Sequence, residues 1–84
     1  MQETELGKVT HYYGHLSVAI IELLDTLKEG DSIHIKGHSE DFTQPVDSLQ
    51  IEHNQVSQAK AGDSVGIKVT GKVHPHDKVY KITP

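Results

Sequence analysis

Apolar and polar residues alternate in short runs along most of this chain, which is the pattern of half-buried β-strands. One pattern occurs twice, as KEGDSIHI at residues 28–35 and as KAGDSVGI at residues 60–67. In both copies a Gly-Asp pair precedes an alternating run. Glycine readily adopts a positive φ and aspartate accepts backbone hydrogen bonds, so each copy predicts a turn that begins a strand. The predicted turn residues are Gly30, Asp31, Gly62 and Asp63.

A third, degenerate copy covers residues 73–80, with His76-Asp77 in place of Gly-Asp. With this copy, the alternation predicts strands over residues 6–13, 32–37, 43–52, 64–69 and 78–82. The strand at 43–52 changes the parity of its apolar positions, so a bulge near Asp47 is expected.

Residues 16–27 fit two interpretations. Leucines and an isoleucine at positions 16, 20, 23, 24 and 27 match one face of a helix, with Gly30 as a fitting terminator. The nearly continuous apolar run at 17–24 also fits a sixth strand. The residues alone leave this choice open.

The chain has 84 residues, no cysteine and a formal net charge of −4. This length predicts one domain over residues 6–84, after a disordered leader at residues 1–5. Without cysteine there is neither a disulfide framework nor a thiolate metal site. No apolar run approaches the roughly 18 residues of a membrane span, so a cytoplasmic protein without membrane contact is expected.

Positive charge is concentrated late in the chain. Residues 1–59 carry three lysines against ten acidic residues, whereas residues 60–84 carry five lysines against two. A basic face of this kind could bind RNA or another anion through phosphate contacts. The candidates are Lys68, Lys72, Lys78 and Lys81, with Tyr12 as a stacking residue. The chain has no arginine, which argues against sequence-specific base recognition.

The order of these segments resembles the second domain of translational GTPases, the β-barrel of elongation factor Tu and its relatives. The resemblance covers residues 6–82 and is most specific at the two Gly-Asp turns with their following strands. It implies a strand at residues 16–27 and a small closed antiparallel barrel of about six strands. It also implies a noncatalytic binding module that contacts RNA or a ribonucleoprotein. Similar barrels occur as C-terminal appendages of some bacterial peptidases, so a protein-interaction barrel accessory to an enzyme is the alternative.

The sequence predicts no enzymatic activity, no catalytic residue and no cofactor. No phosphate-binding GxxxxGK[ST] motif is present, which excludes GTP binding of the P-loop type. The match to GxSxG at residues 62–66 begins a predicted strand, whereas a nucleophile elbow joins a strand to a helix. Seven histidines are many for this length. Metal binding through His74 and His76 is therefore a minor alternative, although their spacing matches no established zinc motif.

Overall fold

The computed structural model describes residues 2–83, and these form ten β-strands and no helix. The all-β class is confirmed, and the leucine-rich segment forms two strands. No helix in this part of the chain is available to cross a membrane. The strands are β1 (Gln2–Tyr13), β2 (Val18–Leu23), β3 (Leu27–Lys28), β4 (Ser32–Lys36), β5 (Asp41–Pro45), β6 (Leu49–Ile51), β7 (Asn54–Val56), β8 (Gln58–Ala59), β9 (Ser64–Lys68) and β10 (Lys78–Thr83).

Eight strands form one open sheet in the order β5-β4-β10-β1-β2-β9-β6-β7, and β3 pairs with β8. The expected closed barrel is wrong, because no backbone ladder joins the edge strands β5 and β7. A side chain links β5 to the end of β9 instead. Gln44 Nε2 donates to the Lys68 carbonyl at 2.9 Å, and Gln44 Oε1 accepts from the Thr70 amide at 2.8 Å. The buried side-chain amide of Gln44 thus provides hydrogen bonds to one backbone carbonyl and one backbone N–H group. These two bonds take the place of a strand ladder.

The predicted strand at 43–52 is two strands with different partners. β5 pairs with β4, whereas β6 pairs with β7 and β9. Between them Val46 is buried, and it exchanges backbone hydrogen bonds with the first Gly-Asp turn, through Gly30 and Asp31. The parity change near Asp47 therefore marks a change of partner strand rather than a bulge.

Residues 2–5, expected to be a disordered leader, lie in β1. They pair in antiparallel register with the end of β10, from Gln2 opposite Thr83 to Glu5 opposite Tyr80. The polar sequence of this segment hid the pairing, because its side chains are exposed and its ordering rests on backbone hydrogen bonds. β1 has two register shifts, between Glu5 and Gly7 and between Val9 and His11.

Three turns of one geometry precede β4, β9 and β10. In each, the aspartate amide donates to the carbonyl three residues earlier, at 3.1, 3.0 and 3.2 Å. The aspartate carboxylate accepts from the amide of that earlier residue, at 2.9, 3.0 and 2.9 Å. The third residue has positive φ, as in a type II turn: 92° at Gly30, 95° at Gly62 and 76° at His76. The degenerate copy thus forms the same turn without glycine.

The core consists of inward-facing aliphatic residues from both halves of the sheet. Leu23 and Leu27 are buried, but Leu16 and Leu24 are 64% and 59% exposed. The five positions that fit one helical face therefore do not share one environment. The fully buried large side chains are Leu6, Val9, Ile21, Leu23, Leu27, Ile33, Ile35, Val46, Leu49, Val65, Ile67 and Val73.

Candidate docking site

An apolar groove lies on the outer face of the sheet, across β1, β2, β9 and β6. We call it the outer groove. Its apolar wall is formed by Tyr13, Leu16, Val18 and Ile20, and its rim by polar residues that include His11, Gln50, Glu52 and His53. Leu16 is 64% exposed and Tyr13 50% exposed, which makes this an apolar surface rather than part of the core. A concentrated apolar surface with a polar rim is characteristic of an interaction site.

Strand alternation explains why the groove is apolar. In β2, Ala19, Ile21 and Leu23 face the core, so Val18 and Ile20 face outward. Gly66 of β9 lies opposite Ile20 in the ladder and has no side chain that could cover Ile20. A Cβ at Gly66 would lie 3.4 Å from Val18 Cγ1 and 3.5 Å from Ile20 Cδ1, which is ordinary van der Waals contact. The glycine therefore leaves open a space that an alanine could occupy.

The β1–β2 hairpin holds Leu16 at the end of the groove. The Leu16 amide donates to the Tyr13 carbonyl at 3.1 Å, and the Ser17 carbonyl accepts from the Val69 amide at 2.8 Å. Ser17 has a positive φ of 56°. Tyr13 also stacks on His11, with ring centroids 6.3 Å apart and an interplanar angle of 8°. The hydrogen bonds fix the hairpin backbone at Leu16, and the stacking orients the Tyr13 ring.

Two residues on the opposite rim have left-handed backbone conformations. Glu52 has φ 51° and His53 has φ 69°, and together they connect β6 to β7. A two-residue hairpin with both φ values positive normally favours Asn-Gly, because other residues are strained there. Such strain is common where side chains serve a binding surface.

The lysines predicted to bind RNA do not lie on one face. Alternation places Lys78 and Lys81 on opposite faces of β10. Lys81 is half-buried, and its ammonium donates to the Thr26 carbonyl at 2.7 Å, whereas Lys78 Nζ lies 3.5 Å from a Glu5 carboxylate oxygen. Lys68 ends β9, and Lys72 is exposed in the following loop. The structure therefore assembles no four-lysine surface from these residues.

The two neighbouring tyrosines face opposite sides of the sheet. Tyr12 packs against the hydrophobic core, and Tyr13 is the outward-facing tyrosine in the outer groove. The two candidate metal ligands also differ. His74 lies beside Glu40 and Asp77, whereas His76 is the exposed residue at positive φ in the third turn and is not part of that cluster.

Sequence reasoning missed the outer groove, although a signal for it is present. Residues 18–21, Val-Ala-Ile-Ile, are all apolar, and a strand with two apolar faces indicates that something covers both. The sequence does not say what covers the outer face. It also carries no indication that Glu40, in a polar loop, is largely buried.

No family model matches the chain. The chain is 41% identical over 80 residues to an uncharacterised protease of Methanocaldococcus jannaschii, covering 94% of this chain and 20% of the relative. It is 35% identical over 82 residues to a collagenase of Porphyromonas gingivalis, covering 95% of this chain and 23% of the relative. The chain thus spans about a fifth of the length of the curated relatives it matches.

A solved structure has the same fold. It is the C-terminal domain of a Geobacillus thermoleovorans protein described as a U32 peptidase, with a TM-score of 0.88 and 23% identity. The superposition covers 94% of this chain and 92% of that domain. This chain and that domain therefore share one fold.

These comparisons correct three expectations. The resemblance to the second domain of elongation factor Tu is wrong as a family assignment, because the similar proteins are a protease, a collagenase and a U32 peptidase domain. A translation-factor-like, RNA-binding character is wrong for the same reason. The expectation of no enzymatic activity is also contradicted, since the relatives are named protease and collagenase. The alternative, an accessory to a peptidase, is the better supported.

Proposed function

We propose that this chain is the accessory module of a U32-type peptidase and that it docks on the remainder of that enzyme through the outer groove. The observation that carries the proposal is the extent of the sequence match. Nearly the whole chain aligns with about a fifth of proteins named protease and collagenase. In such proteins a unit of this size lies beside a much larger part, against which an apolar surface can be buried.

The outer groove has the composition that such docking needs. The side chains of Tyr13 and Leu16 are at least half exposed, and the outward side chains of Val18 and Ile20 continue the same surface. Burying one exposed leucine contributes about 1.5–3 kcal/mol. Leu16 at the hairpin tip is therefore expected to contribute strongly to docking, with Tyr13 beside it as an aromatic anchor.

The Methanocaldococcus jannaschii protease provides a test. The protease is prepared without the 80 residues that match this chain, and the chain is added separately. We expect a complex measurable by isothermal titration calorimetry. Leu16→Asp should weaken the complex about 10- to 100-fold, since it removes buried apolar area and places a charge there.

The matched control is Leu24→Asp. Leu24 is exposed to a similar degree but lies outside the outer groove. This variant should bind like the unmodified chain. If the chain does not bind the shortened protease, the proposed function is wrong. If both aspartate variants bind equally well, docking does not use the outer groove.

A further inference from the structure

An imidazole and two carboxylates converge between the β4–β5 loop and the third turn, away from the outer groove. Glu40 comes from the loop, and His74 and Asp77 come from the turn. One potential ligand atom of each lies within 4.8 Å of the others. His74 Nδ1 is 2.6 Å from Glu40 Oε1. We call these three residues the acid–histidine cluster.

The burial of Glu40 is the unusual feature of this cluster. Its side chain is only 10% exposed. Oε1 contacts His74 and accepts a hydrogen bond from Ser39 Oγ at 3.0 Å, but Oε2 is buried and has no hydrogen-bond partner within residues 2–83. Burying a carboxylate oxygen without a partner is costly, so such an atom calls for a missing ligand or proton.

The backbone is arranged so that the two carboxylates meet. The Gly37 amide donates to the Glu40 carbonyl at 2.7 Å, which turns the loop back toward Asp77. A side chain at Gly37 would collide with the Asp77 carboxylate. Asp77 Oδ2 accepts from the His74 amide at 2.9 Å, which fixes the orientation of that carboxylate. Asp77 is 6% exposed, so the pair is held together away from water.

The carboxylates of Glu40 and Asp77, which approach within 4.8 Å, repel each other unless a proton or a cation lies between them. Burial raises the pKa of the Asp77 carboxyl. The hydrogen bond from the His74 amide lowers this pKa, and the neighbouring Glu40 raises it, so that the net shift is upward. Burial also acts to raise the pKa of Glu40, but the neighbouring Ser39, Asp77 and His74 side chains lower this pKa overall. A cation bound between the two carboxylates would remove this repulsion.

We propose that Glu40, His74 and Asp77 bind a divalent transition-metal cation of the Zn²⁺ type. Carboxylate oxygen and imidazole nitrogen are both ligands of Zn²⁺, and three protein ligands leave a fourth position for water or a further donor. His74 is 53% exposed, so the cluster is reached from solvent on that side. Lys36 and Lys78 line the same cavity, and the two carboxylates offset their positive charge.

Calorimetric titration of this chain with ZnCl₂ near pH 7.5 tests the proposal. We expect one ion per chain and an upward shift of the melting temperature. Glu40→Gln and His74→Asn should each weaken Zn²⁺ binding by at least about tenfold. His74→Asn keeps the backbone amide that donates to Asp77, so this variant retains the turn. Mg²⁺ should bind at least about tenfold more weakly than Zn²⁺, because it disfavours imidazole.

His38→Asn is the matched control, since His38 lines the same cavity without belonging to the cluster. It should bind Zn²⁺ like the unmodified chain. The proposal is overturned if Zn²⁺ does not bind, if binding survives both cluster substitutions, or if His38→Asn loses as much affinity as His74→Asn. Because the titration needs no peptidase, its result is independent of the proposed docking.

Discussion

β4 and β9 are two copies of one strand that differ most at a single outward position. They read Ser-Ile-His-Ile-Lys and Ser-Val-Gly-Ile-Lys, and their patterns of exposed, half-buried and buried residues are identical. The central residue is His34 in β4 and Gly66 in β9. His34 is flanked by carboxylates of Glu3 and Asp41, whereas Gly66 leaves the outer groove uncovered.

The comparison extends to β10, where Tyr80 occupies the outward place after the third turn and lies directly opposite His34. The repeated positions, which are the turn aspartate and the inward aliphatic residues, build the fold. The positions that vary between copies shape the surface: His34 is ion-paired, Gly66 leaves a groove open, and His74 joins the repeated Asp77 in the acid–histidine cluster. The proposed docking surface and the proposed metal site thus both include positions that depart from the repeat.

The largest expected effect tests whether the first two turns are equivalent. Gly30→Val and Gly62→Val should each lower the free energy of unfolding by about 1–3 kcal/mol, because a β-branched residue is strained at positive φ. A Cβ added at either glycine would meet no atom within 4 Å beyond the adjacent residues, so conformation rather than collision causes the loss. Urea unfolding measures it, with Lys60→Ala as the near-neutral control. A loss at only one glycine would show that the two turns differ.

The next largest effect tests how the aspartate of the third turn differs from those of the first two turns. Asp77→Asn should stabilise the metal-free chain by about 1 kcal/mol, because an amide can donate to Glu40 while its oxygen still accepts from the His74 amide. Asp63→Asn, at the equivalent half-buried position, should gain nothing. Thermal unfolding in the presence of a chelator compares the two variants. Equal changes in melting temperature would mean that the Glu40 contact is energetically unimportant.

A smaller gain is expected at His76, which replaces the turn glycine in the third copy. His76→Gly removes the cost of a left-handed conformation at φ 76° but raises the entropy of the unfolded chain. These terms leave a net stabilisation of about 0.5 kcal/mol. Pro75→Ala serves as a contrast, since proline suits the position before it in a type II turn and its loss should destabilise. A less stable His76→Gly variant would contradict this account of the turn.

The repeated positions were predictable from the sequence, whereas the features formed by the other positions were not. The Gly-Asp turns and the strands after them were predictable, because local backbone preference and alternation agree there. The absence of a closed barrel was not predictable. Where a barrel would need a strand ladder, the buried Gln44 side chain connects β5 to the end of β9. The outer groove and the acid–histidine cluster depend on which distant segments meet. Glu40 reads as a solvated loop residue until the third turn is placed against it.

The smallest expected effect is the pH dependence of stability that His34 causes. β9 has a glycine at the equivalent position. The His34 imidazole faces Glu3 of β1, Asp41 of β5 and Tyr80 of β10, with Nδ1 2.9 Å from a Glu3 oxygen. Hydrogen bonds to Glu3 and then Asp41 raise the pKa of His34 above its ordinary value of 6.5. The folded state therefore holds this proton more tightly than the unfolded chain. The resulting stabilisation is complete below about pH 6.5 and is lost as pH rises through the raised value.

Urea unfolding of the unmodified chain and of His34→Gln, near pH 5.5 and near pH 8.5, measures this contribution. Glutamine keeps a polar side chain between the two carboxylates but carries no proton that titrates in this range. The stability difference between the two proteins should therefore be larger at the lower pH, where the imidazolium is paired with Glu3 and Asp41. A difference that grows toward high pH would contradict the ion-paired arrangement.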